Sequence, residues 1–483
     1  MIPTLFNLDF YKTCHHKQYL PGTSRIVSNL TPRSSRIPGI DKIVWFGVAN
    51  LLLNLQEEFE NSVDYDNFNP MYPEIVGNAL GVDKDELRIH IGRLADFVHR
   101  YGHLPVEIRA LPEGAVVPLR VPCLTIHNTD PKFAWLPNFL ETHISNSLWQ
   151  ASTSATLARA YRETFDKYAR ETGSPLEFCD WQGHDFSARG MAGADAAALS
   201  GLGHLTSFMG TDTVSALWLG NQIYGQTPAG GSVPATEHSV MCAAGESGEV
   251  EVLEHLLKTY PHGIVSVVSD SFDFWAFVKL LCTTYKQKLL DRNGKFVVRP
   301  DSGDPVKILV GDSTSTDPMA RKGLIEVLWD AFGGVVSATG HRILDSHIGA
   351  IYGDSITLER QKLILEGLKN KGFASCNVVL GIGSYTYQYT TRDTFGWAIK
   401  ATYMERDGKA YNIFKRPKTD DGTKFSAKGL PFVTRENGQY KLIEGVSWDK
   451  FVSAENALQP VEIAEDFEEI RLRLKKEPSI FSS

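Results

Sequence analysis

Between residues 177 and 385, short apolar or β-branched runs each end in a polar residue or glycine, and most lead into a segment with helical apolar spacing. The runs are LEFCDWQGHDF, TSFMGTD, SVPATEH, IVSVVSD, FVVRPD, IGAIYGD and NVVLGIG. Their ends, Asp185, Asp212, His238, Asp270, Asp301, Asp354 and Gly383, are separated by 27, 26, 32, 31, 53 and 29 residues. About 30 residues is the length of one strand–helix–strand unit. The 53-residue step carries an insertion around GDSTSTD. Strands that alternate with helices pair in parallel. The pattern therefore predicts an α/β fold with an incomplete β/α barrel over residues 151–385, whose chemistry sits at the C-terminal ends of the strands.

The flanks read differently. Residues 1–150 are mixed, with two strand-like runs between Leu104 and Ile126, LPVEIRALPEG and AVVPLRVPCLTIHNT, and a helical pattern from Trp135 to about Arg170. After residue 385 the chain turns strand-like and basic, in GWAIKATYME and KAYNIFKRPKTDDGTKFSAKG, and Ala464 to Lys476 reads as a charged surface helix. Residues 386–483 are expected to complete the first 150 as a second, mixed α+β domain.

Composition narrows the function. The 483 residues are 42% hydrophobic and 22% charged, an ordinary globular balance. A net charge of −8 excludes a dedicated nucleic-acid binder but not phosphate ligands, which a few local Arg and Lys residues can hold. The six cysteines share no CxxC spacing, so no zinc or redox pair is expected. The first 18 residues lack the basic and apolar regions of a signal peptide, and no apolar run reaches about 18 residues, the membrane-spanning length. Reduced thiols and a cytoplasmic location are the expectation.

The strand ends carry the candidate chemistry. Asp and Ser there could be helix caps, but His238 and Arg299 are not favoured cap residues. Arg299 and Asp301 lie two apart and can share a face; they could clamp a phosphate and hold a hydroxyl or Mg²⁺ water, or pair with each other. Gly353-Asp354 and Gly381-Ile382-Gly383 close later strands, where small residues let backbone amides approach a phosphate. Arg392, Lys400, Lys415 and Arg416 follow as phosphate ligands or a solvated face. Phe186 could stack on a flat ring, with Arg189 close by, and Asp212 could accept a hydrogen bond from an amide NH₂. His238, after Glu237, could be a base, a ligand or a nucleophile, with Asp270 holding one ring nitrogen.

Taken in order, YKxxHxKQY (Tyr11 to Tyr19), HDFSARG, GTDT, SVPATEHS, VSVVSDS, RPDSGDP, IYGD and TRD…K resemble the nicotinamide phosphoribosyltransferases, type II phosphoribosyltransferases, over about residues 7–430. The resemblance implies transfer of a phosphoribosyl group to nicotinamide, with Mg²⁺ held mainly by substrate phosphates and ATP as co-substrate. His238 resembles the histidine that ATP phosphorylates, with Asp270, Asp301 and Glu237 beside it in the catalytic set. Phe186 and Tyr11, the latter from a second subunit, look like the two faces of a sandwich around the base, Asp212 like its carboxamide partner, and Arg189 like a phosphate and base contact. Arg299, Gly353, Asp354, Gly383, Ser384, Arg392, Lys400, Asp9, Ser266, Arg33 and Lys415 resemble ribose and phosphate contacts. Arg392 and Lys400 would reach across an obligate homodimer with shared sites. Two departures stand out: Ser384-Tyr385 replaces a glycine-richer loop, and Ala398 stands where a hydroxyl is often found.

The chemistry is coherent with that resemblance. A pyridine nitrogen carries a free lone pair, so its attack on the sugar needs no general base, and His238 is free for nucleophilic duty. A nicotinate phosphoribosyltransferase would share the fold. From other classes, a metal-dependent barrel hydrolase would use His184, Asp185, His238 and Asp270, and a binding protein could keep the fold without catalysis.

Overall fold

A computed structural model of the chain describes residues 4–55, 70–414, 427–462 and 465–482. Lys415 and Arg416 lie outside the described residues. The chain divides into two compact units: Leu157–Leu219 with Pro228–Tyr389, and Met1–Thr156 with Gly220–Thr227 and Thr390–Ser483.

The first of these is the barrel. Its strands are β1 (Gly183–Asp185), β2 (Gly210–Thr211), β3 (Val265–Val268), β4 (Phe296–Arg299), β5 (Ile348–Tyr352) and β6 (Val378–Ile382). They form one sheet in the order β2-β1-β6-β5-β4-β3, and every pairing is parallel. Strands β3 and β5 are buried at every position, as expected where both faces of a parallel sheet are covered.

The run SVPATEH, expected as a strand, is not a regular one. It touches the two edges of the sheet through single bridges, Gly231 to Gly210 and Ala235 to Ser266. Pro234 explains the irregularity: it has no N–H to donate to a ladder, though its carbonyl accepts from Ser266 N at 2.9 Å. This segment bridges the edge strands β2 and β3. The run LEFCDWQGHDF also differs, since its first half forms a short 3₁₀ turn and the helix Cys179–Gln182, and only its last residues extend. The 53-residue step before Asp354 is filled by three short helices and the hairpin Gly334–Val336/Arg342–Leu344.

Helix caps in this unit come from residues beyond the strand ends. Asp273, Asp304 and Thr357 accept backbone N–H groups of Ala276, Val306 and Arg360. The strand-end carboxylates Asp212, Asp270, Asp301 and Asp354 are thus left for other partners.

The other unit is built on an antiparallel sheet. Thr23–Thr31 pairs with Leu124–Asn128 on one side and Ala398–Arg406 on the other, so segments from both chain ends share it. Helices Lys84–Tyr101 and Phe467–Lys476 belong to the same unit. Among the described residues, no helix is long and apolar enough to cross a membrane.

Among the described residues of this unit, the imidazoles of His127 and His143 are buried and that of His90 half-buried. Burial lowers His90 to about 3, helped by His16, Arg93 and Lys17. Burial also lowers His127 to about 4, with Arg25 and Arg109 assisting against Glu107, and His143 to about 4. An unfolded histidine titrates near 6.5. The unfolded chain therefore takes up protons first as pH falls, and stability drops between about 6.5 and 4. A thermal melt at pH 5 should begin several degrees lower than one at pH 7; an unchanged onset would contradict this origin.

Candidate active site

The strands β3 and β4 and the residues just beyond them gather a set of polar groups with unmet hydrogen-bonding capacity. Arg299 Nε, Asp301 Oδ1, Asp270 Oδ1, Ser266 Oγ and Ser271 Oγ are all buried without a hydrogen-bond partner. Such groups are rare in folded proteins, and a cluster of them points to a ligand.

Arg299 ends β4. It does pair with Asp301, Nη2 to Oδ2 at 3.2 Å, while its guanidinium carbon lies 4.9 Å from the centre of the Phe186 ring. Glycines make room here. A Cβ on Gly353 would come within 2.7 Å of Asp301 Oδ1, and one on Gly381 within 2.5 Å of the Phe186 ring. Phe186 is tethered by its own N–H to the Ile382 carbonyl at 3.1 Å.

Asp270 is held firmly. Its Oδ2 accepts the backbone N–H groups of Asp301 at 2.9 Å and Ser302 at 2.6 Å. Its Oδ1 faces His238 Nε2 at 3.4 Å, with the Asp270 side chain 5% and the His238 side chain 47% exposed. His238 starts the short helix His238–Met241. Glu237, expected in the catalytic set, instead takes a hydrogen bond from the Ser239 hydroxyl.

Asp212 follows β2. Its Oδ1 lies 2.9 Å from His184 Nε2. Burial would raise the Asp212 pKa, but hydrogen bonds from His184 and Ser232 and the charges of His184 and Arg299 hold it below the usual carboxylate range. His184, Phe186, Asp212, Ser266 and Arg299 line one cavity of about 470 Å³ that continues to Lys295 and Asn377 at the strands' N-terminal ends.

Other expected residues lie on the loops after the strands. Arg189 is exposed in a 3₁₀ turn, which packs on Ser384: a Cβ on Gly190 would meet Ser384 Oγ. Gly383 opens the helix Ser384–Tyr387 and has free space around it. Asp354 is exposed and takes a hydrogen bond from Ser355 Oγ at 2.5 Å.

Tyr11, Asp9, Arg33, Arg392 and Lys400 belong to the other unit. Tyr11 is exposed, and Asp9 accepts from Thr142 Oγ1 at 2.7 Å. Arg33 donates to the Gly396 carbonyl at 3.1 Å. Burial, then the nearby charges of Arg33, Lys12 and Arg392, lower the Lys400 pKa against the pull of Glu141. Lys12, which sequence reasoning did not single out, is 4% exposed and paired with Glu141. A buried lysine inside the YKxxHxKQY motif was the available signal. Arg33, Lys12 and Arg392 thus share the surroundings of Lys400 with one acid, Glu141.

The hydrolase alternative loses its ligand set. His184 is committed to Asp212, and Asp185 accepts from Ser187 N and Thr213 Oγ1. Among the described residues, no group of three or more His, Cys, Asp or Glu side chains is placed to hold a metal ion.

Solved structures share this architecture. The chain is similar to the nicotinate-nucleotide pyrophosphorylase of Pyrococcus furiosus, with a TM-score of 0.58 and 16% identity over 98% of this chain and 95% of that one. It is also similar to human nicotinic acid phosphoribosyltransferase, with a TM-score of 0.54 and 15% identity over 98% and 94%. These likenesses show the fold, an incomplete β/α barrel carrying a second, mixed unit. In sequence, a family model for the nicotinate phosphoribosyltransferase (NAPRTase) family matches residues 181–449. Nicotinamide phosphoribosyltransferase of Acinetobacter baylyi is 45% identical over 90% of this chain and 89% of that protein. That of Mycoplasma pneumoniae is 34% identical over 86% and 92%. The chain belongs to the nicotinate phosphoribosyltransferase family.

Proposed function

We propose that this enzyme transfers the phosphoribosyl group of phosphoribosyl pyrophosphate to nicotinamide, releasing pyrophosphate and forming nicotinamide mononucleotide for NAD salvage. The observation that carries the choice of base is Asp212: an ionised carboxylate lining the same cavity as the Phe186 ring. It suits a carboxamide N–H and repels a carboxylate. The names of the relatives point the same way.

The pyridine nitrogen attacks the anomeric carbon as the pyrophosphate leaves, and the sugar gains oxocarbenium character. Arg299 faces the developing charge with an unused Nε–H. Mg²⁺ would enter mainly on the substrate phosphates. The mouth offers it one carboxylate, Asp301, whose Oδ1 is buried without a partner, and carboxylate oxygens are the ligands a hard cation takes. When bound, the ion would neutralise charge on the departing pyrophosphate. Asp301, with a free buried oxygen, would hold it or its water.

ATP couples to the reaction through His238 in this proposal. Asp270 orients Nε2, so Nδ1 attacks the γ-phosphorus; the bond to the β–γ bridging oxygen breaks, and ADP departs. Hydrolysis of the N–P bond later returns phosphate. A homodimer would bring the cations of Lys12, Arg33, Arg392 and Lys400, together with Tyr11, to the partner's barrel mouth. The cytoplasm is the proposed location, in keeping with six free cysteines.

The test is turnover of nicotinamide and phosphoribosyl pyrophosphate with and without ATP. Product should form in both cases and faster with ATP. Labelled ATP should yield an acid-labile phosphoprotein that His238→Ala abolishes. Labelling that persists in the variant moves the role to another residue; absence of nicotinamide turnover overturns the reading of the base.

A further inference from the structure

The cavity wall holds a second residue of the base site, and its role rests on the reading above that nicotinamide is the base. His184 lies at the centre of β1, between Gly381 of β6 and Gly210 of β2. Its ring is buried, tilted against the Phe186 ring at 4.6 Å between centres, and its Nε2 is 2.9 Å from Asp212 Oδ1. An ionised carboxylate only accepts, so Nε2 carries the proton in this contact. Asp212 is anchored independently by its backbone, with its N–H on the Asp185 carbonyl at 3.0 Å and its own carbonyl accepting from Val214 N at 3.1 Å. The side-chain bonds from His184 and Ser232 therefore hold the rotation of the carboxylate, not the position of its chain, and of the two only the His184 donor is an imidazole set in the cavity wall.

We propose that His184 is a specificity-determining positioning residue: by donating Nε2–H to Asp212 Oδ1, it turns Oδ2 toward the carboxamide of the base. The charged groups facing Asp212 are His184 from β1 and Arg299 from β4. Burial acts against the anion, so removing the His184 bond favours a protonated Asp212. A protonated carboxyl can donate a hydrogen bond, and a carboxylate base such as nicotinate then fits where it was repelled. His184 thus acts through Asp212 and not on the sugar or the phosphates.

Gly210 serves the same geometry. A Cβ there would come within 2.8 Å of His184 Nδ1, so the ring keeps this position only where that residue is glycine.

The experiment compares His184→Leu, His184→Gln and wild type in steady-state kinetics with nicotinamide and with nicotinate, from pH 5.5 to 8.5. In His184→Leu the ratio of kcat/KM for nicotinamide over nicotinate should fall at least tenfold, through a higher KM for nicotinamide. The fall should deepen toward low pH, and the KM for phosphoribosyl pyrophosphate should hold within about twofold. Glutamine can present its amide N–H near the place of Nε2, so His184→Gln should recover most of the ratio. Gly210→Ala, which displaces the ring without removing it, should reproduce the leucine effect in a folded protein. An unchanged ratio in His184→Leu and Gly210→Ala, or an equal loss for both bases with a raised KM for phosphoribosyl pyrophosphate, overturns the proposal. A wild-type enzyme that does not use nicotinamide overturns the underlying reading instead, and the wild-type arm alone detects that.

Discussion

Replacing Asp212 with Asn should erode the preference for nicotinamide over nicotinate by one to three orders of magnitude. At about 4 Å, two like charges repel by about 4 kcal/mol at an effective dielectric of 20 and by about 1 kcal/mol in water. These limits correspond to about a thousandfold and about fivefold in relative affinity. The Asp212 side chain is 41% exposed, which places the expected effect between them, and Arg299 nearby offsets part of the repulsion. Asn keeps the shape and can still accept from His184 Nε2, so its NH₂ turns to the base and can donate to a carboxylate. The gain should therefore appear mainly as a lower KM for nicotinate. The sign of the pH effect follows from the direction of the Asp212 shift. Its pKa lies below the ordinary carboxylate range, so the wild-type preference should be flat above about pH 5, where unperturbed carboxylates are ionised. Specificity constants for both bases in the two enzymes check this. Equal constants in the wild type, or an unchanged ratio in the variant, would sink it.

Much of this site was legible in the chain. Near-regular steps between strand ends place Asp212, Asp270, Arg299 and Asp301 at one end of a parallel sheet, because a strand–helix unit has a nearly constant length. Alternation put Arg299 and Asp301 on one face and left open whether they pair or hold a ligand; the structure shows the pair beside a free Nε. What periodicity could not carry was tertiary. Pro234 turned an expected strand into an irregular bridge, since it lacks the N–H a ladder needs. Phe178 and Trp181 read as strand residues by their apolarity but lie in or beside a short helix, where packing overrides propensity. The tie between His184 and Asp212 joins residues on neighbouring strands, and no spacing rule announces a side-chain bond of that kind. Lys12 carries no sequence mark of burial, because its pairing with Glu141 joins residues far apart in the chain.

Arg299→Ala should lower kcat/KM for phosphoribosyl pyrophosphate by about a hundred- to a thousandfold, the usual loss when one preorganised donor to developing charge is removed. Arg299→Lys should recover only part of it. Lysine keeps the charge, but it lacks the planar fork that lets one guanidinium meet Asp301, cover Phe186 and still present an N–H to a ligand. The base should feel the change too, since the cation lies 4.9 Å from the Phe186 ring centre, and such contacts contribute about 0.5–2 kcal/mol. KM for nicotinamide should rise severalfold in both variants. Stability separates these effects from misfolding. In Arg299→Ala, Asp301 loses its ion-pair partner while Oδ1 stays buried, which destabilises the folded state. In the double variant Arg299→Ala/Asp301→Asn that charge is gone, so the melting temperature should return toward wild type while activity stays low. A double variant that recovers activity along with stability would mean that Arg299 serves only to neutralise Asp301, and its assignment to the phosphoribosyl group would fall.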